Sequence, residues 1–327
     1  MGLIVSILAG FIPMLLYAWF LYFLDRYEKE PIKMLFGVFS WGAIIAAGTA
    51  YFINSITSMG VYLLTQSEYA TQLTISTMVA PVVEETLKGA AVLFVYLLFK
   101  SEFDSPLDGV IFGGITALGF AATENAWYIH QLGFLENDWP GLLDLTIIRV
   151  FQVGWQHPFY TAFIGLGFAI AIRVKETIFK WLAPLAGWAI AVVLHFLHNL
   201  FSSILSTQAG MFFSTFWDWT GYLGLFLLIL LLIKREQGWM KKYLSSEHEL
   251  DLLTADQYKI ACSAWRQSIE FFKARTRGDY KYIRNFYQSC GDLMHKKRQL
   301  IQHGDDLGKS LEIQRLRSEL ASLSKQI

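Results

Sequence analysis

In the stretch MVAPVVEETLKGAAVLFVYLLF, residues 78–99, two carboxylates and an amine stand side by side: Glu84, Glu85 and Lys88. The surroundings are apolar enough for a bilayer, where a charge near the centre costs about 3 kcal/mol or more. Three further apolar stretches carry polar groups. GFAATENAWYI holds Glu124, GWQHPFY holds His157, and VVLHFLHNLF holds His195 and Asn199 at i and i+4. Glu84 and Lys88 are also i and i+4 and share a helix face, with Glu85 turned away by about 100°. Lys88 can neutralise one carboxylate and leave its neighbour for chemistry; unpaired, the two would repel.

A carboxylate and a histidine together can hold a water and take its proton. A second histidine with an amide can donate to a developing oxyanion. The set Glu84, Glu85, Lys88, Glu124, His157, His195 and Asn199 therefore suits hydrolysis of an acyl bond with no covalent intermediate and no cofactor. A divalent metal such as zinc offers a second route to the same reaction, held by Glu84 or Glu85 with His157 and His195. An ion- or proton-coupled transporter would use such groups as a relay, but the sequence shows no inverted repeat and no matched pair of broken helices. A non-catalytic scaffold has no need of the whole set. There is no Gly-x-Ser-x-Gly elbow, no paired catalytic aspartate motif and no His-Glu-x-x-His, so serine-type and the usual zinc-protease signatures are missing.

What must position these residues is a set of membrane helices. The 327 residues are 54% hydrophobic with a mean hydropathy of +0.39, more apolar than ordinary soluble domains. Stretches of about 20 apolar residues recur, each long enough to cross a bilayer. The expectation is an all-α, polytopic membrane protein with about seven spans, near 3–24, 34–57, 77–99, 107–129, 155–173, 181–204 and 212–233. The first is expected to be a retained span, because it lacks a basic leader and a clear cleavage site. Ser105, Pro106 and Asp108 predict the start of the fourth. Gly109, Gly113, Gly114 and Gly119 within it predict close helix approach.

Loop charge gives an orientation. Loop 25–33 carries three Lys/Arg, whereas loops 58–76 and 205–211 carry none and 130–154 carries only Arg149. Basic loops stay cytoplasmic, so the amino terminus is expected outside and the tail inside a cell membrane. Trp139, Trp155 and Trp217–Trp219 are expected in an outer interfacial belt. At 1.5 Å per residue, Glu84 and Glu85 then lie about 10–12 Å below the outer surface, Glu124 about 8 Å, His157 within about one turn, and His195 and Asn199 about 14 and 8 Å. All these polar groups share one leaflet and come from four helices. Intramembrane ionisable residues normally face one another or a wet cavity, so one polar site near the outer face is expected. His198 is turned away from the His195–Asn199 face, and Asp218 reads as a solvated helix start.

Residues 1–233 hold 9 Lys+Arg against 15 Asp+Glu; residues 234–327 hold 18 against 12. The chain thus divides into a protease-like membrane domain, 1–233, and a basic cytoplasmic domain, 234–327. Tyr258, Ala261, Trp265, Ile269 and Phe272 recur at helical spacing, as do Tyr280, Ile283, Tyr287, Cys290 and Met294, and Ile313, Leu316, Leu320 and Leu323. Breaks at 276–279 and 303–306 predict a helical hairpin or three-helix bundle, with Cys262 and Cys290 as small core residues. Its basic balance suits a cytoplasmic protein partner or anionic lipid headgroups; nothing points to nucleic acid.

The order EExxK (Glu84, Glu85, Lys88), FxxxE (Phe120–Glu124), a lone intramembrane His157, and HxxxN (His195–Asn199) resembles the PrsW family of intramembrane proteases. That family belongs to the wider group of CAAX prenyl endopeptidases and bacteriocin-immunity proteins. The likeness covers roughly residues 80–202, and DGVIFGGITALGFAATEN, 108–125, is its nearest stretch. It implies cleavage of a membrane-tethered protein, of the anti-sigma-factor kind, near the outer membrane face. By the resemblance, Glu84 or Glu85 with a histidine activates water, and His195 with Asn199 stabilises the oxyanion. CAAX-type enzymes have FxxxH as their second motif; Glu124 stands there instead, which points away from prenyl-protein processing.

Overall fold

Among the described residues the chain is helical throughout and contains no strand. The computed structural model describes residues 1–327 except 101, 205–207, 306–307, 325 and 327. In order, the helices are α1 (Gly2–Leu24), α2 (Ile32–Ser40), α3 (Ala47–Thr65), α4 (Glu68–Thr74), α5 (Ala80–Leu98), α6 (Pro106–Tyr128), α7 (Leu135–Thr146), α8 (Gln156–Ala171), α9 (Thr177–Ile204), α10 (Gln208–Glu249), α11 (Ala255–Ala261), α12 (Ala264–Arg277), α13 (Tyr280–His303) and α14 (Lys309–Leu323). Four π-helical stretches, Trp41–Ala46, Ile75–Val79, Ile129–Phe134 and Ile147–Gln152, join neighbouring helices or extend them.

Five helical runs are long and apolar enough to cross a membrane: Gly2–Leu24, Ile32–Thr65, Pro106–Ala171, Thr177–Ser203 and Phe213–Glu249. The difference from about seven has a simple origin. The 77–99 segment is helical but carries Glu84, Glu85 and Lys88 near its centre, and 107–129 and 155–173 fall within one continuous run. Many large apolar side chains on the outer faces are exposed, among them Leu16, Phe36, Phe52 and Trp181, the surface expected of a protein solvated by lipid. The expected loop 205–211 lies partly outside the described residues; α10 already begins at Gln208.

The chain packs as two compact units, 1–23 with 30–228, and 24–29 with 229–327. In the first unit α6 is central and buried on nearly every side, as an all-round apolar helix must be. Ser105 caps it in a reciprocal box. The hydroxyl accepts from the Leu107 and Asp108 amides, and Asp108 accepts from the Ser105 amide at 2.6 Å. Its glycines let backbones meet. A β-carbon at Gly113 would lie 2.8 Å from the Thr161 carbonyl oxygen, and one at Gly119 would collide with that of Phe39. Helix α8 is held between α6 and α9, and α5 packs on all three. Trp155 is not a free interfacial ring: it stacks on Tyr17 at 4.7 Å and meets Phe226 edge-on.

In the second unit Ile283, Tyr287, Cys290, Met294, Ile313, Leu316 and Leu320 are buried, as their spacing predicts. Burial pushes the Cys262 thiol up to about 11 and the Cys290 thiol well above its usual range, so both are core residues rather than nucleophiles. Glu247, fully buried, accepts from Lys297 at 2.7 Å and from Arg317 Nη2 and Nε at 2.7 and 2.9 Å. Segment 24–29 belongs to this unit: Tyr27 is buried, a β-carbon at Gly291 would collide with its carbonyl oxygen, and Glu28 pairs with His295 at 2.7 Å. Both predicted breaks carry glycines with positive φ, Gly278 at 87° and Gly304 at 77°; residue 306 is outside the described set. The Tyr258–Phe272 pattern is not one buried stripe. It is broken between α11 and α12, and its Trp265, Ile269 and Phe272 face outward.

Candidate active site

Helices α5, α6, α8 and α9 bring the intramembrane polar residues together. Lys88 is the hub. Its fully buried ammonium donates to Glu85 Oε1 at 2.7 Å, lies 3.0 Å from His157 Nδ1 and 3.7 Å from Glu84 Oε2, and sits 4.2 Å above the Phe120 ring. An ammonium only donates, so His157 Nδ1 accepts and its Nε2–H donates to Glu124 Oε2 at 2.8 Å. Phe120, the aromatic of FxxxE, thus covers the lysine and leans on the His157 ring.

The two adjacent glutamates are not equivalent. Glu85 is fully buried and saturated: it accepts from Lys88, from Thr161 Oγ at 2.8 Å and from His195 Nδ1 at 3.0 Å. Thr161 lies where Gly113 of α6 lets the α6 and α8 backbones meet. Glu84 instead lines a cavity of about 650 Å³ together with Glu124, His157, His195 and Asn199. Its Oε2 is buried with no hydrogen-bond partner and lies 3.9 Å from His195 Nε2. With Nδ1–H committed to Glu85, His195 presents the lone pair of Nε2, an orientation fixed from behind by a carboxylate.

Glu124 has a second partner that sequence reading passed over. Arg149 Nη2 pairs with Glu124 Oε2, Arg149 Nε donates to Asn125 Oδ1 at 3.0 Å, and the guanidinium covers the Tyr128 ring at 4.3 Å. Three carboxylates thus face two fixed cations, and the excess negative charge asks for a proton or a bound cation. That imbalance was the available signal: Arg149 is the one Lys or Arg between residues 101 and 172. Its position follows from the π-helical stretch Ile147–Gln152. A π turn leaves carbonyls without their usual helical donor, and here Tyr17 donates to the Val150 carbonyl at 3.2 Å.

Asn199 lines the cavity, but its amide donates to the Ser76 carbonyl at 2.8 Å, in the π-helical stretch just before α5. It therefore ties α9 to the helix that carries Glu84. Asp218 is not a solvated helix start. It is buried, accepts from His198 at 2.9 Å and from Gln156 at 2.8 Å, and forms a second polar wall of the same cavity, with Ser202 3.4 Å from His198 Nε2. Only packing α10 against α8 and α9 brings Asp218 there, which no local spacing shows.

The donor chemistry also fits a metal. Glu84, His157 and His195 each offer a ligand atom within 4.8 Å of the others, an oxygen–nitrogen–nitrogen set that leaves a position open. The unpartnered Glu84 Oε2 and the lone pair of His195 Nε2 are ready for it; His157 joins once a ring nitrogen leaves Lys88 or Glu124.

The sequence model described as "PrsW family intramembrane metalloprotease" matches residues 30–233. The chain belongs to the PrsW family. Among curated relatives, Protease PrsW of Geobacillus kaustophilus (strain HTA426) is 25% identical over 68% of this chain and 85% of its own length. Protease PrsW of Clostridioides difficile (strain 630) is 33% identical over 38% of this chain and 50% of its own length. No solved structure matches. This PrsW-family chain is a membrane protease, and the matched region contains the whole cavity described above.

Proposed function

We propose that this protein cleaves a peptide bond of a membrane-tethered protein, with the attacking water held between Glu84 and His195 near the outer membrane face. The carrying observation is the pair Glu84 Oε2 and His195 Nε2, 3.9 Å apart on the cavity wall, the oxygen buried without a donor. That separation is too long for a direct hydrogen bond and suits one bridged from the side by water.

Glu84 takes the proton as the water oxygen bonds to the peptide carbon, and returns it to the amide nitrogen as the C–N bond breaks. Glu85 keeps His195 in the tautomer whose Nε2 accepts from the water, and Lys88 keeps Glu85 charged without consuming Glu84. Asn199 has two N–H groups and spends one on Ser76; the other is available to the oxyanion. A divalent ion such as zinc, held by Glu84, His157 and His195, would polarise the carbonyl and make a bound water more acidic; the spacing of those three residues favours this as the second reading.

The test is purified protein in liposomes with a single-span tethered reporter. Glu84→Gln and His195→Gln are expected to abolish cleavage while leaving insertion intact, with thermal stability nearly unchanged in Glu84→Gln and lowered in His195→Gln, which strips one donor from the buried Glu85; wild-type rates from both overturn the assignment. Chelator dialysis with elemental analysis separates the two readings. Full activity in metal-free protein supports water held by Glu84 and His195 alone, whereas loss restored by zinc supports the metal. The resemblance suggests an anti-sigma-factor-like substrate, which membrane proteomes from cells with and without the Glu84/Glu85 pair would reveal. A reporter fused after Glu236 is expected to be active only in its cytoplasmic form; a signal from the opposite side overturns the orientation.

A further inference from the structure

Helix α12 carries an apolar stripe that its own unit does not cover. Trp265 is 75% exposed, Ile269 39% and Phe272 70%. At i, i+4 and i+7 they fall within a sector of about 60°. The opposite side of the helix does the packing: Gln267 and Ala274 are buried, Gln267 donates to the Ala261 carbonyl at 2.9 Å, and Phe271 meets Tyr280 and Tyr287.

The charges around the stripe are ordered. Arg266 and Lys273 flank it at about +80 to +100°, and Arg275, whose guanidinium lies 4.7 Å over the Tyr280 ring, flanks it at about −80°. The helix's one acid, Glu270, lies toward the back and is paired with Arg277 at 2.7 Å. Basic residues on both flanks of an aromatic-led apolar face match a helix lying in the boundary between anionic headgroups and acyl chains: rings enter the hydrocarbon edge while the long basic side chains reach phosphates. The partner surface is also close at hand. The second unit is covalently joined to a membrane-spanning chain through α10, so the bilayer is presented to it at high effective concentration.

We propose that the Trp265–Ile269–Phe272 face of α12 docks on an anionic lipid leaflet. It is a peripheral anchor for the second unit, distinct from the spans and from the cavity. The test uses the full-length protein, one copy per nanodisc, with a spin label at Ile269→Cys. The buried Cys262 and Cys290 stay unlabelled, as wild-type protein would verify, and Lys259→Cys on α11 serves as the aqueous control. In discs containing phosphatidylglycerol, the label at 269 is expected to favour oxygen over a water-soluble nickel chelate by several-fold relative to the control. The preference should weaken in pure phosphatidylcholine. Arg266→Glu with Lys273→Glu, both on exposed positions, should remove it while the helix content is unchanged. A label at 269 as chelate-accessible as the control in both lipids overturns the proposal. So does spin–spin broadening at two copies per disc with oxygen and chelate both excluded, which would mean a second copy covers the face. A preference unaffected by the charge reversal overturns the anionic-lipid assignment.

Discussion

Lys88 on α5 donates to His157 Nδ1 on α8 across 3.0 Å, although 69 residues separate them in the chain. This contact sets the tautomer of His157, turns its Nε2–H toward Glu124, and joins the EExxK motif to the FxxxE motif through one proton arrangement. It gives the lysine two duties, as counter-ion for Glu85 and as the group that orients His157.

Lys88→Met is therefore expected to damage more than charge balance. It leaves Glu85 buried with only neutral donors, a loss of roughly 3–5 kcal/mol for breaking a buried pair. Thermal unfolding in detergent should show the loss, and Lys88→Met with Glu85→Gln should recover much of the stability but none of the proteolysis.

The two adjacent glutamates should separate in the same measurements. Glu84→Gln changes a side chain that lines the cavity and whose buried Oε2 has no hydrogen-bond partner, so stability should change little while cleavage is lost. Glu85→Gln strips a carboxylate with three donors and should lower stability by about 3 kcal/mol or more as well as activity. Equal stability of the two variants would contradict this division of roles.

Arg149→Met is expected to weaken Glu124 and Asn125 together. Because the pair is partly exposed, the cost should be about 1.5–3 kcal/mol. A double-mutant cycle with Glu124→Gln should show strong non-additivity; additive losses would mean that the pair is not coupled.

Gly113→Val tests how the backbone places the site. The added atoms meet the Thr161 carbonyl, so α6 and α8 must part, at about 1–3 kcal/mol, and the Thr161–Glu85 bond should break. Thr161→Val removes that hydroxyl without moving helices and should cost less stability, which distinguishes spacing from hydrogen bonding.

In the second unit, burial raises the Asp292 carboxyl to about 6, only partly offset by the Gln288 hydrogen bond and by His295. A carboxyl raised in the folded state binds protons more readily folded than unfolded. Its penalty is therefore full above about pH 6 and fades as pH falls toward the unfolded value near 4. Asp292→Asn should slow hydrogen exchange of α13 amides about tenfold at pH 7.5, which corresponds to about 1.4 kcal/mol, and act much more weakly near pH 4.5. An equal effect at both values would assign the change to packing instead.

Much of this protein was legible in its sequence because membrane and helix rules act locally. Apolar length fixes which segments are helices in lipid, Ser105–Asp108 starts α6, and the rarity of charge in hydrocarbon singles out Glu84, Glu85, Lys88, Glu124, His157 and His195. Their shared neighbourhood followed from depth along each span. The division of labour did not. Whether Glu84 or Glu85 faces the cavity depends on which face of α5 meets α8 and α9, and a rotation of one residue would exchange them. Arg149 and Asp218 looked peripheral because a loop and an interface are expected to be solvated; only the packing of the π-helical stretch and of α10 buries them. Trp265, Ile269 and Phe272 looked like core because spacing reports an apolar face without reporting what covers it. Local physics named the chemical groups, and tertiary packing decided which are saturated and which remain open to react.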